Sequence, residues 1–329
     1  MTVGRPIDGR EISGREIGER VSAGAVLPFW LNRPPQEALE VAANAARFGY
    51  PEIWIGEMLH FDAFALAGAV ARMSEHPIIT VGPLPIDLRD PVALAMGIGS
   101  IAVIGGRAAR LAVGASSPAV VERWHGRRWS GQAERLEEGV RLIRSVLEGE
   151  RTDHSGKHFQ TKGFRSALGH QTAHITVAAL GPRMTAVAAR CGDRLVMNLV
   201  SVEQVAAAAR AVAIPIAVWV VAGVEPTDEG WDQVRRQMTL YLRAPGYAGA
   251  LTAAGLGDLV EAAGSDLPVS DLAALVTTDH LEVIAAIGSE DQVADQLGRY
   301  REAGAEVMVV PITAGDPAGQ RTLAALRGK

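Results

Sequence analysis

Short apolar runs alternate with longer segments of helical spacing along most of the chain. Runs at 21–28, 52–55, 78–81 and 111–113 read as strands. Each is followed by a segment, at 37–48, 61–72, 92–102 and 134–148, whose apolar residues recur every three or four positions. In the last of these, Leu136, Val140, Ile143 and Leu147 form one stripe. A polar excursion at 151–171 separates them from strands expected at 175–178, 195–197 and 216–221. Gly181-Pro182 opens one intervening helix, and 202–211 reads as the next. Residues 227–278 interrupt the rhythm with helical segments, 231–241 the clearest, joined by glycine-rich turns. A helix at 290–303, an eighth strand at 307–310 and a last helix at 317–326 complete the series. Eight strand–helix units predict an α/β fold, a (β/α)8 TIM barrel with a helical excursion near the seventh unit. A doubly wound open sheet fits less well, because Val26-Leu27-Pro28-Phe29 stands where its glycine fingerprint belongs. The expected organisation is a loose N-terminal arm over 1–20 and one barrel domain over 21–329, with a helical insertion at about 227–278.

In such a barrel, chemistry belongs to the strand ends and the loops after them. The residues to weigh are Phe29, Trp30 and Asn32, then Glu57 and Met58, then 82–87, 114–117 and 181–183, and finally Asn198. The stretch at 105–126 is the most informative. Leu111-Ala112-Val113 empties at Gly114 into Ala115-Ser116-Ser117, and Pro118 is suited to a first helical turn. Glycine and serine there leave room for a ligand and supply N–H and hydroxyl donors.

Composition narrows the choices. With 329 residues and 48% hydrophobic content the chain can bury a large core. Its 32 basic and 37 acidic residues leave a net charge of -5, which disfavours nucleic acid as a partner. Cys191 is the only cysteine, so neither an internal disulfide nor a cysteine-based metal site is expected, and a reducing cytoplasm suits it. The first twenty residues lack the apolar core of a secretion signal, and no apolar run is uninterrupted enough to predict a membrane span. The eight histidines (His60, His76, His125, His154, His158, His170, His174, His280) show no helical His-Glu-x-x-His pairing, so no metal site is expected. No Gly-x-Ser-x-Gly elbow occurs, which makes nucleophilic hydrolysis a weak reading.

Several motifs, in order, carry a family resemblance: the run from Val81-Gly82-Pro83 through Asp90-Pro91-Val92, then Gly105-Gly106-Arg107, Leu111-Ala112-Val113-Gly114 and Val121-Glu122-Arg123-Trp124-His125-Gly126. Glu150-Arg151 with Gly156-Lys157-His158-Phe159, Ala178-Ala179-Leu180-Gly181-Pro182-Arg183-Met184, Val309-Val310-Pro311 and Gly315-Asp316-Pro317 continue it. Together they resemble the bacterial luciferase-like superfamily, and within it the branch that uses the deazaflavin coenzyme F420. The resemblance implies a barrel, usually a homodimer, with a tricyclic ring at its mouth and hydride exchange between F420 and a small organic substrate. An FMN-dependent monooxygenase and a barrel that binds a ligand without redox turnover are the alternatives.

The cofactor-binding residues it implies are Val81, Gly82, Gly114, Ala115, Ser116, Ala179, Leu180, Gly181 and Arg183. Gly181 is read as a phosphate site at a helix start, or else as an ordinary turn; Arg183 as a charge partner, or else as solvated. A non-proline cis bond is expected at Val81-Gly82, the alternatives being an all-trans strand end or a cis bond before Pro83. Glu57 and His125 are the candidate catalytic groups. Glu57 is otherwise a partner for a nearby arginine, and His125 otherwise a packed side chain. Ser116 and Ser117 stand where some relatives carry a glutamate, and helix capping is their other reading. Phe29, Trp30, Met58 and Trp124 are expected to line the substrate pocket, with core packing the other reading of Phe29 and Trp30. Met58 replaces the histidine of related sugar-phosphate dehydrogenases, so that activity is not expected. Cys191 is read as packing.

Overall fold

In the computed structural model of the chain, the described residues are 23–31, 33–57, 59–73, 77–172 and 174–328. The expected arm over 1–20, the start of the first expected strand, and Asn32, Met58 and His76 lie outside them.

Eight parallel strands close a barrel. In chain order the first four are β1 (Gly24–Val26), β2 (Glu52–Ile55), β3 (Ile78–Pro85) and β4 (Ala109–Gly114). An antiparallel hairpin, β5 (Thr152–Ser155) and β6 (Gln160–Phe164), occupies the polar excursion. The barrel continues through β7 (His174–Ala178), β8 (Arg194–Asn198) and β9 (Ile216–Val224). β10 (Ala285–Gly288) pairs only with the upper half of β9, and β11 (Ala305–Pro311) closes the ring between β9 and β1. All eight expected strands are present; the hairpin and β10 are additions.

Helices α1 (Glu37–Arg47), α2 (Ala63–Met73), α3 (Pro91–Gly105), α4 (Gln132–Leu147), α5 (Pro182–Cys191) and α6 (Val202–Ala211) follow their strands. Their starts follow local chemistry. The Asp90 carboxylate accepts from the Val92 N–H at 2.8 Å with Pro91 in the first turn, and Ser201 and Gln204 form a reciprocal capping box on α6. The α4 stripe is fully buried as its spacing predicts. The excursion consists of α7 (Asp228–Leu242), α8 (Pro245–Leu251), α9 (Gly257–Ala263), α10 (Val269–Leu275) and α11 (Thr278–Glu282). α12 (Glu290–Glu302) and α13 (Gln320–Leu326) flank β11. Among the described residues no helix is long and apolar enough to cross a membrane.

The barrel interior is layered. At the N-terminal strand ends it is ionic: Arg194, 2% exposed, donates to Glu52 at 2.6 Å and to Glu306 at 2.8 Å, and Arg110 donates to Glu52 at 3.0 Å. Burial pushes the Glu52 carboxyl up, but the hydrogen bonds and charges of Arg194 and Arg110 outweigh it and hold the group below the ordinary carboxylate range. Above this layer sit Val26, Trp54, Ala112, Val196, Ala217 and Met308, with Trp219 stacked edge-on against Trp54 at 5.6 Å. The strand ends above them form the mouth. The excursion packs there, burying Leu242, Leu251, Leu256, Leu272 and Leu281 against Trp30, Leu199, Val221 and Ile312. One side of the mouth therefore carries a helical roof, built on the ends of β8, β9 and the segments after β1 and β11.

Candidate active site at the barrel mouth

Strands β2, β3, β4 and β7 are consecutive neighbours in the barrel, and all four reach the mouth in small residues: Gly56, Gly82, Gly114 and Ala178. Period two along each strand sets this arrangement, because inward-facing Trp54 is followed two residues later by Gly56, and Ala112 by Gly114. A Cβ on Gly114 would lie 3.1 Å from the Ala178 Cβ; one on Gly56 would lie 2.8 Å from the Phe29 ring. At Gly82 the backbone has φ +120° and a Cβ would come within 2.1 Å of the Ala112 carbonyl oxygen, so only glycine serves there. The result is a floor across these four strands that carries nothing larger than the Ala178 methyl and is packed closely against its own neighbours. The Phe29 and Trp219 rings both border the Gly56 end of it, and the buried Trp219 Nε1 has no hydrogen-bond partner among the described residues.

The β3 end corrects one expectation. The bond Val81-Gly82 is trans, and the cis bond among the described residues is Gly82-Pro83. A tertiary amide lowers the cis penalty from about 3–4 to about 0.5–1 kcal/mol, so the proline takes it. The pairing of β3 with β4 shifts register between Val81 and Leu84, a bulge at the same strand end.

Beside the floor, β4 ends in Ala115-Ser116-Ser117. Ser116 is left-handed at φ +56°, and the Ser117 hydroxyl accepts from the Val120 N–H at 3.4 Å, the capping geometry. Pro118 leads into a π-helical turn, Ala119–Trp124. Trp129 folds this loop back, donating from Nε1 to the Ala115 carbonyl at 2.9 Å. Trp124 is 51% exposed, and His125 is exposed with no hydrogen bond among the described residues.

The next strand, β7, continues through Ala179 and Leu180 to Gly181, the N-cap of α5. The backbone there is extended, nothing lies within 4 Å of an added Cβ, and Gly181 and Arg183 are exposed. The first N–H groups of α5 have no intrahelical acceptor, which makes this end able to take an anion.

The opposite side of the mouth is polar and aromatic. The Asn198 amide donates to the Tyr247 hydroxyl at 3.3 Å, and Tyr241 stacks edge-on against Tyr247 at 4.9 Å. Burial pushes both phenols up, so both stay neutral hydrogen-bonding groups. A cavity of about 540 Å³ lies farther out under α7, lined by Trp30, Arg33, Gln233, Arg236, Gln237 and Val269.

The remaining candidates divide. Both oxygens of Glu57 accept from Arg89, at 2.8 and 2.7 Å, and the same carboxylate accepts from the Ala63 N–H at 2.9 Å. The arginine partner is thus Arg89, and the pair ties the segment after β2 to the segment after β3. Trp30 is 4% exposed and donates from Nε1 to the Pro311 carbonyl at 3.0 Å, so it stands within the roof's core. Phe29 remains at the floor's edge. Val81 is fully buried and faces away from the mouth. Cys191 ends α5 with its thiol pushed up to about 11 by burial. Sequence reasoning did not single out Trp129, Trp219, Tyr241, Tyr247 or Arg89. Strand parity finds Trp219, whereas the tyrosines sit in an excursion whose position periodicity does not give.

A family model described as luciferase-like monooxygenase matches residues 15–306. A Mycobacterium tuberculosis protein named for a coenzyme F420-dependent oxidoreductase activity is 27% identical over 184 residues, covering 52% of this chain and 53% of that protein. The matched region thus spans about half the length of this relative. An F420-dependent secondary alcohol dehydrogenase, solved with an F420–acetone adduct, superposes with a TM-score of 0.73 at 18% identity, over 94% of this chain and 99% of that one. A coenzyme F420-dependent tetrahydromethanopterin reductase from Methanopyrus kandleri gives 0.74 at 16%, over 94% and 98%. At these identities the two structures speak for the fold. With 15–306 matched and the barrel closed as described, the chain belongs to the luciferase-like monooxygenase family.

Proposed function

We propose that the protein is an F420-dependent oxidoreductase that exchanges hydride between the deazaflavin ring and a small organic substrate. The observation that carries this reading is that four neighbouring strands reach the mouth in Gly56, Gly82, Gly114 and Ala178, so that nothing larger than a methyl stands between their backbones and a flat ring laid over them. The name of the M. tuberculosis relative and the F420 enzymes among the structural neighbours support F420 as the ring. Bound F420 supplies a hydride acceptor or donor.

The chain's own residues orient and enclose. The floor supports one ring face, the α5 start holds the phosphate, and Ala115 to Ser117 border the ring edge between them. Asn198 and Tyr247 offer a neutral amide and hydroxyl to a substrate oxygen from the roof side. The excursion excludes water over that half of the mouth. Glu57, held bidentately by Arg89, fixes the two loops beside the floor. His125 is the candidate for passing a proton to solvent, since its ring is free and exposed.

An FMN-dependent monooxygenase is the second reading, favoured by the description of the matching family model. Deazaflavin carries carbon in place of the ring nitrogen N5 on which a flavin's reactivity toward oxygen depends, so oxygen uptake separates the two. F420 reduction by a panel of alcohols without oxygen uptake fits the first reading, and oxygen uptake with reduced FMN fits the second. We place the active form as a homodimer in a reducing cytoplasm. α3 carries no charged residue, and its Met96, Val103 and Ile104 remain exposed beside Met73 of α2, an apolar face suited to a second copy.

A further inference from the structure

Two sides of α7 have different surroundings. Val234, Met238 and Leu242 are buried in the roof's core, whereas Gln233, Arg236, Gln237 and Leu240, spaced i, i+3, i+4 and i+7, line the cavity beneath the helix. Trp30 and Leu31 after β1 and Val269 at the start of α10 belong to the same lining. Leu31, Leu240 and Val269 are 38%, 39% and 44% exposed, so three large apolar side chains that the fold leaves uncovered meet around one hollow. Its volume of about 540 Å³ falls within the range of small-molecule sites, about 300–1,000 Å³. None of the floor residues Gly56, Gly82, Gly114 and Ala178 lines it, so it is a different hollow from the one over the floor.

Most of the polar lining is already committed. The Gln233 amide accepts from the Thr313 and Ala314 N–H groups at 3.0 and 3.1 Å and donates to the Thr313 hydroxyl at 3.3 Å. Gln237 shares a hydrogen bond with Tyr241. Arg33 donates to Glu37 at 3.1 Å, and Glu229 adds its charge beside that same guanidinium. Asp232 accepts from Arg235 at 3.3 Å. The acids of the lining thus each stand beside an arginine other than Arg236, whose guanidinium has no hydrogen bond or ion pair among the described residues.

We propose that this cavity is a second small-molecule site, for an apolar molecule that carries one carboxylate. The apolar body lies against Leu31, Leu240 and Val269, and the carboxylate meets Arg236, one turn of α7 before Leu240. Covering the three exposed side chains supplies the affinity, and the planar fork of the guanidinium selects the charged end. A cationic end would instead face Arg33 and Arg236 with both acids of the lining already beside other arginines. The site stands whichever ring the mouth binds.

The test uses two probes of one shape, 4-phenylbutyrate and the neutral 4-phenylbutanol, titrated calorimetrically into the full chain with and without saturating F420. Phenylbutyrate should bind the wild type at one site, about fivefold more tightly than phenylbutanol at low salt. Arg236→Gln should remove that preference and leave phenylbutanol unchanged. Val269→Trp, which fills the hollow from a half-open position, should weaken both probes at least about tenfold, with Leu240→Trp as the second filling variant and circular dichroism reporting the fold of each. F420 should displace neither probe. Absence of saturable binding, equal affinity of the two probes, or a preference that survives Arg236→Gln overturns the site. Displacement by F420, or full affinity in both folded tryptophan variants, places the probe elsewhere and overturns it equally, and none of these results bears on whether F420 binds the mouth.

Discussion

Replacing Gly181 by aspartate separates the fold from the anion site, because the two respond in opposite directions. Gly181 is the N-cap of α5, its backbone is extended, and nothing lies within 4 Å of an added Cβ, so the side chain enters without strain. Aspartate caps at least as well as glycine and complements the helix dipole, which leaves stability unchanged or raises it by about 0.5 kcal/mol. For a bound phosphate the sign reverses. A carboxylate about 5 Å from a dianion, at an effective dielectric near 60, costs about 2 kcal/mol. Competition for the same N–H groups removes a charge-assisted hydrogen bond worth about 1.5–3 kcal/mol. The total of about 3.5–5 kcal/mol corresponds to a rise in Kd of roughly 10²–10⁴-fold. Fluorescence titration with F420 reads the affinity, and thermal unfolding followed by circular dichroism reads the fold. A Kd within about threefold of wild type, with the fold retained, would refute the phosphate assignment.

Three other outcomes are expected. Gly114→Val fills the floor where a Cβ already lies 3.1 Å from Ala178; ring affinity for both F420 and FMN should fall at least about tenfold, and equal binding would place the ring elsewhere. His174, at the ionic end of the barrel, is pushed down to about 4 by burial and by the charges of Arg194 and Arg110. Its folded value lies below the unfolded 6.5, so stability is fully present above pH 6.5 and is lost as pH falls toward 4, by at most about 3 kcal/mol. Glu52, also depressed, adds a loss at lower pH still. Urea midpoints should drop across that window in the wild type and less in His174→Gln; parallel curves would contradict this. Val103→Glu with Ile104→Glu should convert a dimer to a monomer in sedimentation equilibrium, and a monomeric wild type would remove the α3 interface.

The barrel was legible because parallel strands buried on both faces read as apolar runs, and all eight stand out in the sequence. Their starts were less so. Arg110 and Arg194 look like polar boundaries, yet they point into the barrel, where Glu52 is a shared partner 58 and 142 residues away. The β5–β6 hairpin hid in polar residues, and the four-residue β10 borders only the end of β9. At the site, glycine positions were readable because strand parity fixes which residues face the mouth. Glu57 was ambiguous until Arg89, 32 residues on, was seen to take both its oxygens. Trp30 was readable as either wall or core, and it is largely core, its indole reaching the Pro311 carbonyl 281 residues away while it also borders the cavity under α7. Asn198 was readable as a strand end, whereas its partner Tyr247 belongs to an excursion placed only by tertiary packing.

The central claim is that the small-residue mouth of this barrel binds a deazaflavin ring. Titrating the purified protein with F420 and, in parallel, with FMN, while following ring absorbance and fluorescence, tests it most directly. Saturable F420 binding in the micromolar range with FMN bound far more weakly is the predicted result; FMN binding that matches or exceeds F420 binding, or binding of neither, would contradict it.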